Sequence, residues 1–382
     1  MESRNGGGDS LSTPSNDNQN KPIIVPLYHP WIQLIYNFWC ILCLYFLGAF
    51  CIIIEVSRKL RLGPVKHYDH EQSPDLTGKV AIITGGSRGI GWATGKALLQ
   101  KGCHVIITSS AKPGNQIESL QQKLITASQS AGGKGKLEVW HLELTSMDSI
   151  VDFVKRFTLS GLELNMLITN AGIMYAPFSL TNNGFESHLS VNYLGHCLLI
   201  WGLLPILNET GLKSGTLSRI VNVSSATHYA RPITLDDLNG LKLYSPYHAY
   251  AQSKLAQVIF TFKLNRFLDD KGTAPYECVR VNCLHPGVVK TDLYEHVWWV
   301  NRFPKFASLI FRTPEEGAET VLYTALSPEL DGVGGKYLED CAIVKAARPA
   351  YDESIQDQLW NKTWSMLRPW LEKLDIDHPI QS

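Results

Sequence analysis

Between residues 78 and about 340 the chain repeats one unit, a short apolar run bounded by turn-forming residues followed by a segment long enough for a helix. The runs are KVAIIT (79–84), HVIIT (104–108), LEVWHLEL (137–144), LNMLITNAG (164–172), SRIVNVSS (218–225) and VRVNCLHPG (279–287). Runs of this length, rich in Val, Ile and Leu, read as buried strands. Alternation with helices argues a parallel sheet covered on both faces, a doubly wound α/β fold. A chain of 382 residues with 45% apolar and 18% charged side chains has ample material for such a core. No second domain is legible. A further helix start is signalled at Thr313, Pro314 and Glu316, where a cap, a first-turn Pro and a capping-box Glu coincide.

Ahead of this unit stands WIQLIYNFWCILCLYFLGAFCIII, Trp31 to Ile54, without a formally charged residue. It exceeds the roughly 20 residues that a spanning helix needs. A cleaved signal peptide would want a basic start, a short apolar stretch and a small-residue cleavage site, whereas this run follows a polar tail and ends at Glu55. A buried core helix with aromatics all round is unusual. The run therefore reads as a membrane anchor. Residues 1–30 are rich in Gly, Ser, Asn and Asp and read as a disordered tail. Arg58, Lys59, Arg61 and Lys66 follow the anchor and only Lys21 closely precedes it, which places the C-terminal side in the cytosol. The expectation is a single-pass protein of the endoplasmic reticulum or another endomembrane with its globular domain cytosolic. Sequons at Asn208, Asn222 and Asn361 would be usable only in the opposite topology.

Formal net charge is zero and the Lys and Arg residues are scattered, which removes the footprint of a nucleic-acid binder. Cys40 and Cys43 form a CxxC inside the anchor with no basic neighbour and no second pair, so neither metal binding nor redox duty follows. The widely spaced remaining cysteines suggest a reducing compartment.

After the first strand stands TGGSRGIG, Thr84 to Gly91. Glycines between a first strand and first helix let the backbone approach a pyrophosphate, and the free N–H groups of the helix start attract it. A glycine loop alone also fits an ordinary tight turn. Its spacing is not GxGxxG but is similar to the TGxxxGxG of the short-chain dehydrogenase/reductase family. That family's other motifs follow in order: TNAG at Thr169–Gly172, Asn192 in VNYLGH, NVSS ending at Ser225, YAQSK at Tyr250–Lys254, and HPGVVKTD at His285–Asp292. The match covers about residues 75–345. VNYLGHCLL, VNVSSATHYA, YSPYHAYAQSKLA, HPGVVKTDLYEHVWW and LSPELDGVGGKYL look most like the membrane-anchored, retinol-dehydrogenase-like branch, and within it the enzymes of polyprenol and dolichol metabolism.

The resemblance implies a Rossmann-type domain and an NAD(P)-dependent oxidoreductase acting on CH–OH groups. It makes Tyr250 the general acid/base, with Lys254 four residues on lowering its pKa and bonding the nicotinamide ribose, Ser225 polarising the substrate oxygen, and Asn192 holding a water that relays the proton. A free Tyr titrates near 10, so a base at neutral pH needs about 4 kcal/mol of differential stabilisation. It also assigns the cofactor to Gly85, Ser87, Arg88, Gly89, Ile90, Gly91, Ser109, Ser110, Asn170, Ala171, Gly172, Tyr250, Lys254, Pro286, Gly287, Val288 and Thr291, the last meeting the carboxamide. An acid ending the second strand would select NAD. ITSSAK has none, and Arg88 stands where it could meet a phosphate, so NADP(H) is preferred with NAD(H) also possible. Glu143 replaces the family's usual Asp near the adenine.

Ser225 and Tyr250 enclose THYARPITLDDLNGLKLYSPYH, similar to the insertion of the retinol dehydrogenase branch, which shapes one wall of the cleft. The aromatic stretch YEHVWWVNRFPKFASLIFRT, with Arg302, Lys305 and Arg312, suits an apolar pocket and lipid headgroups, although core packing would use the same residues. Together with the anchor it favours a lipid-soluble alcohol, aldehyde or ketone, an isoprenoid such as polyprenol or dolichal; a retinoid or steroid is the alternative. A reading of another class is a cofactor-binding membrane scaffold or redox sensor without essential turnover. The helices around Phe185–Leu207 and Tyr247–Leu268 are apolar enough for a homodimer face. The expected divisions are a tail at 1–30, anchor at 31–54, linker at 55–77, catalytic domain at 78–345 and a helical C-terminal extension at 346–382.

Overall fold

The computed structural model describes residues 30–377 apart from 61–65, 70, 72, 271–275, 296, 298, 299 and 301. The N-terminal tail, part of the expected linker, and His296, Trp298 and Trp299 of the aromatic stretch lie outside the described residues.

Strands β1 (Val80–Thr84), β2 (His104–Ser109), β3 (Leu137–His141), β4 (Met166–Thr169), β5 (Ser218–Val223) and β6 (Val279–His285) fall on the six apolar runs. They join β7 (Tyr337–Glu339) and β8 (Ala342–Val344) in one sheet of order β3-β2-β1-β4-β5-β6-β7-β8. All neighbours pair parallel except β7 and β8. In β1 the side chains alternate between the two cores: Val80 and Ile82 face one, Ala81 and Ile83 the other. The first core is closed by α4 (Met147–Leu159), α5 (Gly195–Ser214), α6 (Pro246–Asp269) and α9 (Glu353–Leu371). The second is closed by α2 (Gly89–Gln100), α3 (Asn115–Ser130) and α8 (Pro314–Leu326). Helix α8 starts on the expected capping box, Thr313 Oγ1 accepting from Glu316 N–H and the Glu316 carboxylate accepting from Thr313 N–H.

Three expectations change. The anchor forms α1, but the helix runs Pro30–Lys59, so residues 55–59 are helix and not linker. Glu55 ends the uncharged run without ending the helix because it meets a buried cation, Arg312, whose Nε lies 2.7 Å from Glu55 Oε1. Arg312 accordingly is buried, also pairs with Asp340 at 2.6 Å, and has no access to lipid headgroups. The apolar faces of α5 and α6, expected at a dimer interface, are covered by α9: Trp360 stacks on Phe260 with centroids 5.5 Å apart, and Trp201 meets Trp360 and Trp364 edge-on at 5.3 and 5.0 Å. The C-terminal segment is thus part of the main core.

Candidate active site

The glycine loop is built for close approach. Gly85 has φ +63°, and a Cβ there would stand 2.9 Å from Ala171 Cα. At Gly91 a Cβ would meet Asn170 Nδ2 and Gly85 O at 2.6 Å. The loops that end β1 and β4 therefore touch through backbone, which only glycine permits. Thr84 ties them together: its Oγ1 accepts from the Asn170 and Ala171 N–H groups at 2.9 and 3.0 Å, and Asn170 Nδ2 donates to Thr84 O at 3.0 Å. Helix α2 starts here with Arg88 in an extended conformation, no side-chain cap and no acid in its first turn. The leading N–H groups of a helix have no partner within it, and those around Ser87 to Ile90 would suit an anion. The turn after β6 completes the cradle, with Thr291 Cγ2 3.0 Å from where a Gly89 Cβ would be. Gly287 has φ +87° and lies flat against the Arg312 guanidinium, and the Val288 N–H donates to Glu55 at 3.0 Å. At the end of β2, Ser109 Oγ accepts from Ala111 N–H, and Ser110 follows with no acid beside it. Arg88 makes an exposed ion pair with Asp292 at 3.0 Å. Glu143 turns inward on its own loop, accepting from Thr145 N–H and Oγ1 at 3.0 and 2.8 Å.

Across the cradle stand the catalytic candidates. Gly172 joins the two halves, since a Cβ there would be 3.2 Å from Asn192 Oδ1 and 3.6 Å from Lys254 Nζ. Tyr250 and Lys254 lie one turn apart on α6 and both are buried. Ser225, two residues beyond β5, caps the short 3-10 turn Ala226–Tyr229 by accepting from Thr227 N–H at 3.2 Å, and its hydroxyl lies beside the Tyr250 phenol.

Two expected roles are altered by these contacts. Burial pushes the Tyr250 phenol up to about 12, against the pull of the Ser225 and Thr227 hydroxyls. Lys254 does not counter this, because burial pushes its own pKa down to about 7 and its Nζ donates to Val223 O at 2.9 Å and Gln257 Oε1 at 3.0 Å. Removing water penalises the charged form of both groups. The Asn192 amide is also committed: Oδ1 accepts from Ile173 N–H at 2.9 Å, and Nδ2 donates to Ile173 O and Ser253 Oγ at 3.0 and 2.9 Å. Asn192 clamps residue 173 and has no side-chain donor left for a water.

The sequence did not disclose a second clamp three residues on. His188 is buried, donates from Nδ1 to Glu186 at 2.7 Å and accepts the Ala176 N–H on Nε2 at 3.2 Å. Tyr244 OH donates to Ala176 O, also at 3.2 Å. Between the clamps Tyr175 sits at φ +56°, a strained value for an aromatic residue, with its ring edge-on to Tyr250 at 5.4 Å and tilted on Tyr247 at 4.7 Å. The short-range pattern NAGIMYAP carries no sign of this. A hollow of about 680 Å³ between α4, α5 and α9, lined by Trp201, Phe267, Tyr276 and Trp364, contains none of these groups.

A dinucleotide fits the cradle: glycine backbone where any Cβ would collide, an uncapped helix start, and a half-buried hydroxyl with a buried phenol and amine where its far end would reach. The comparisons with known proteins agree. The model of the short chain dehydrogenase family matches residues 79–298. Polyprenol dehydrogenase of Homo sapiens is 42% identical over 324 residues, covering 84% of this chain and 94% of the relative. Retinol dehydrogenase 14 of Mus musculus is 38% identical, covering 75% and 85%. A crystal structure of an uncharacterized Mycobacterium paratuberculosis protein superposes with a TM-score of 0.61 at 29% identity, covering 79% of this chain and 98% of that one. The alternating strands, the glycine cradle and the Ser225–Tyr250–Lys254 set thus have one origin: the chain belongs to the short-chain dehydrogenase family and is an NAD(P)-dependent oxidoreductase.

Proposed function

We propose that this protein, attached to a membrane through α1, interconverts a hydrophobic alcohol and its carbonyl, with a long-chain isoprenoid of the polyprenol or dolichal type as substrate. Tyr250 takes the hydroxyl proton in oxidation and returns it in reduction. Ser225 bonds the same substrate oxygen. Lys254 holds the ribose side of the cofactor, and Asn192 holds the 173–176 loop. When bound, the oxidised nicotinamide supplies the hydride acceptor and a positive ring that favours the Tyr250 phenolate. The acid-free end of β2 and Arg88 on the rim support NADP(H) over NAD(H), and Ser109 and Ser110 would be the side chains to hold the extra phosphate. The basic flank after α1 supports a cytosolic catalytic domain, on the endoplasmic reticulum or another endomembrane. The similarity to a retinol dehydrogenase favours a retinoid as the second reading.

The observation that carries the proposal is the placing of buried Tyr250 and Lys254, one turn apart on α6, against the glycine cradle, where a Cβ on Gly172 would stand 3.6 Å from Lys254 Nζ. The test follows nicotinamide absorbance with NADPH and NADH, using detergent-solubilised full-length protein and a panel of polyprenols, dolichal, retinal and steroids. Turnover of the isoprenoids, lowered at least 10³-fold by Tyr250→Phe with cofactor binding kept, is the expected result. Cofactor binding without turnover of any member would instead favour a redox-sensing scaffold.

A further inference from the structure

Helix α1 is sorted by polarity along its whole length, in the sense opposite to a surface helix in water. Its buried and half-buried positions are 33, 36, 37, 40, 41, 43, 44, 47, 48, 51, 52, 54, 55, 57 and 58, which share one side of the helix. Gln33, Asn37, Glu55, Ser57 and Arg58 lie on that side, and the exposed Lys59 beside it reaches the domain through its ammonium. The outward face is apolar throughout: Phe46 is 80% exposed, Ile35 67% and Phe38 66%, with Trp31, Leu34, Phe50 and Ile53 beside them.

The inner face is bonded at both ends. Gln33 Nε2 donates to Tyr244 O, and Tyr244 N–H donates back to Gln33 Oε1 at 3.4 Å. Tyr36 packs on the His248 ring at 5.9 Å with the Arg231 guanidinium over it. At the other end Glu55 takes Arg312 and the Val288 N–H, Arg58 pairs with Glu316 at 3.0 Å, and Lys59 donates to Leu309 O and Phe311 O at 2.7 and 2.9 Å. Positions 33 and 59 are 26 residues apart, about 39 Å at 1.5 Å per residue. That exceeds the roughly 30 Å of bilayer hydrocarbon. A helix bonded over that length to a charged domain would, if it crossed, drag Arg231 and His248 to one side of the bilayer and Arg312 and Glu316 to the other, through hydrocarbon.

We propose that α1 lies along the membrane surface instead of across it, docked lengthwise on the catalytic domain, with its outer face in the lipid and its inner face as a wall of the substrate cleft. Tyr244, bonded to Gln33, also bonds Ala176 and so reaches Tyr175 and Tyr250; Glu55 reaches the cofactor turn at Val288. Leu309, 71% exposed on α7 (Pro304–Ile310), and Phe303 extend the apolar face beside the Lys59 end. A chain-like lipid alcohol can then pass from the bilayer past the edge of α1 to Tyr250 without crossing water. This rests on the membrane attachment proposed above but not on the identity of the substrate.

The test is topological. Full-length protein carrying an epitope before Met1 and another after Ser382 is inserted into microsomes and treated with protease. Both epitopes are expected to be digested, because the tail and the domain share one side. Protection of the N-terminal epitope alone would mean that α1 crosses, and would overturn the proposal. In a second arm, Ile35→Asp/Phe46→Asp is expected to leave phosphatidylcholine/phosphatidylethanolamine vesicles, with at least a 10-fold loss of partitioning, while NADPH still quenches tryptophan fluorescence. Unchanged partitioning of that variant would show that the outer face does not meet lipid. Neither arm uses turnover, so a wrong substrate assignment and a wrong topology give different results.

Discussion

Among the described residues two stretches are long and apolar enough to cross a membrane, Pro30–Lys59 and Leu189–Ser214, and they end in opposite surroundings. In the most apolar window of each, 17% of the first and 83% of the second is buried. Composition does not separate them, but the distribution of polar groups does. Helix α1 gathers its polar side chains on one face. The second stretch, a π-helical turn (Leu189–Leu194) running into α5, carries polar groups on several faces, each answered by protein: Ser190 by Leu144 O, Asn192 by Ile173, His196 by Thr84, Asn208 by Cys278 N–H and Thr210 by Leu164 N–H. Lipid has no hydrogen bonds to offer, so a helix polar on several sides must lie in a protein core, while one polar on a single side can face lipid with the other. The sharpest break of this contrast is a matched pair of substitutions. Leu199→Asp puts a charge in the core with no partner and is expected to abolish folding, read as loss of soluble, detergent-extracted protein. Phe46→Asp, on the outer face of α1, is expected to leave the thermal transition in detergent within about 0.5 kcal/mol of wild type. Equal damage from both would mean that α1 is as internal as α5.

What hides α5 is a helix from the far end of the chain. Trp360 is fully buried between Trp201 and Phe260, and Trp364 closes the other side of the Trp201 ring. Trp360→Ala is expected to cost about 3–5 kcal/mol in denaturant unfolding. It also bares apolar surface on α5 and α6, so sedimentation should turn concentration-dependent. An unchanged midpoint would show that α9 only rests on the surface.

The same contrast explains what could be read without coordinates. The six main strands, the glycine loop and the α8 cap depend on neighbours within a few residues, and each appears where its local pattern places it. The β7–β8 hairpin does not, because its turn residues Asp340 and Cys341 take φ +48° and +56° without the glycine that normally announces such a turn. Nor does the end of α1: Glu55 looks like a stop signal until Arg312, 257 positions away, neutralises it. At the site, the identities of Tyr250, Lys254 and Ser225 were legible as a motif, whereas the commitment of Lys254 to Val223 O and of Asn192 to Ile173 depends on which strands and loops come together. Tyr175, Glu186 and His188 were missed for the same reason. Glu186 and His188 hold Ala176 and Tyr175 sits between the clamps, and the sequence spacing of a clamp across a loop is not periodic.

The polar groups of the buried helix should also leave a mark on acid stability, where the outer face of α1 contributes none. His196 donates from Nδ1 to Asn192 O at 3.2 Å and takes the Thr84 hydroxyl on Nε2 at 2.9 Å, leaving no site for a second proton. Burial pushes its pKa down to about 3, that of His285 to about 3, and those of His228 and His248 to about 4. In the unfolded chain each takes a proton near 6.5, so the stability they contribute is whole above that value and drains as pH falls toward their folded values. Each contributes a slope of about 1.4 kcal/mol per pH unit. Glu339 opposes one of the four, since burial raises it to about 7 and the folded state then holds a proton that the unfolded state has lost above about 4.5. The histidines, His104 among them because burial lowers it too, outnumber Glu339, so protons are released on folding between about pH 4.5 and 6.5, and resistance to urea should fall steadily as the pH drops across that window. His196→Gln, which keeps a donor and an acceptor but cannot be protonated there, is expected to lower the slope by about 1.4 kcal/mol per pH unit. If the slope is unchanged, His196 is already charged in the folded protein, and the neutral pairing of Thr84 with Asn192 that joins the glycine loop to the catalytic wall does not exist.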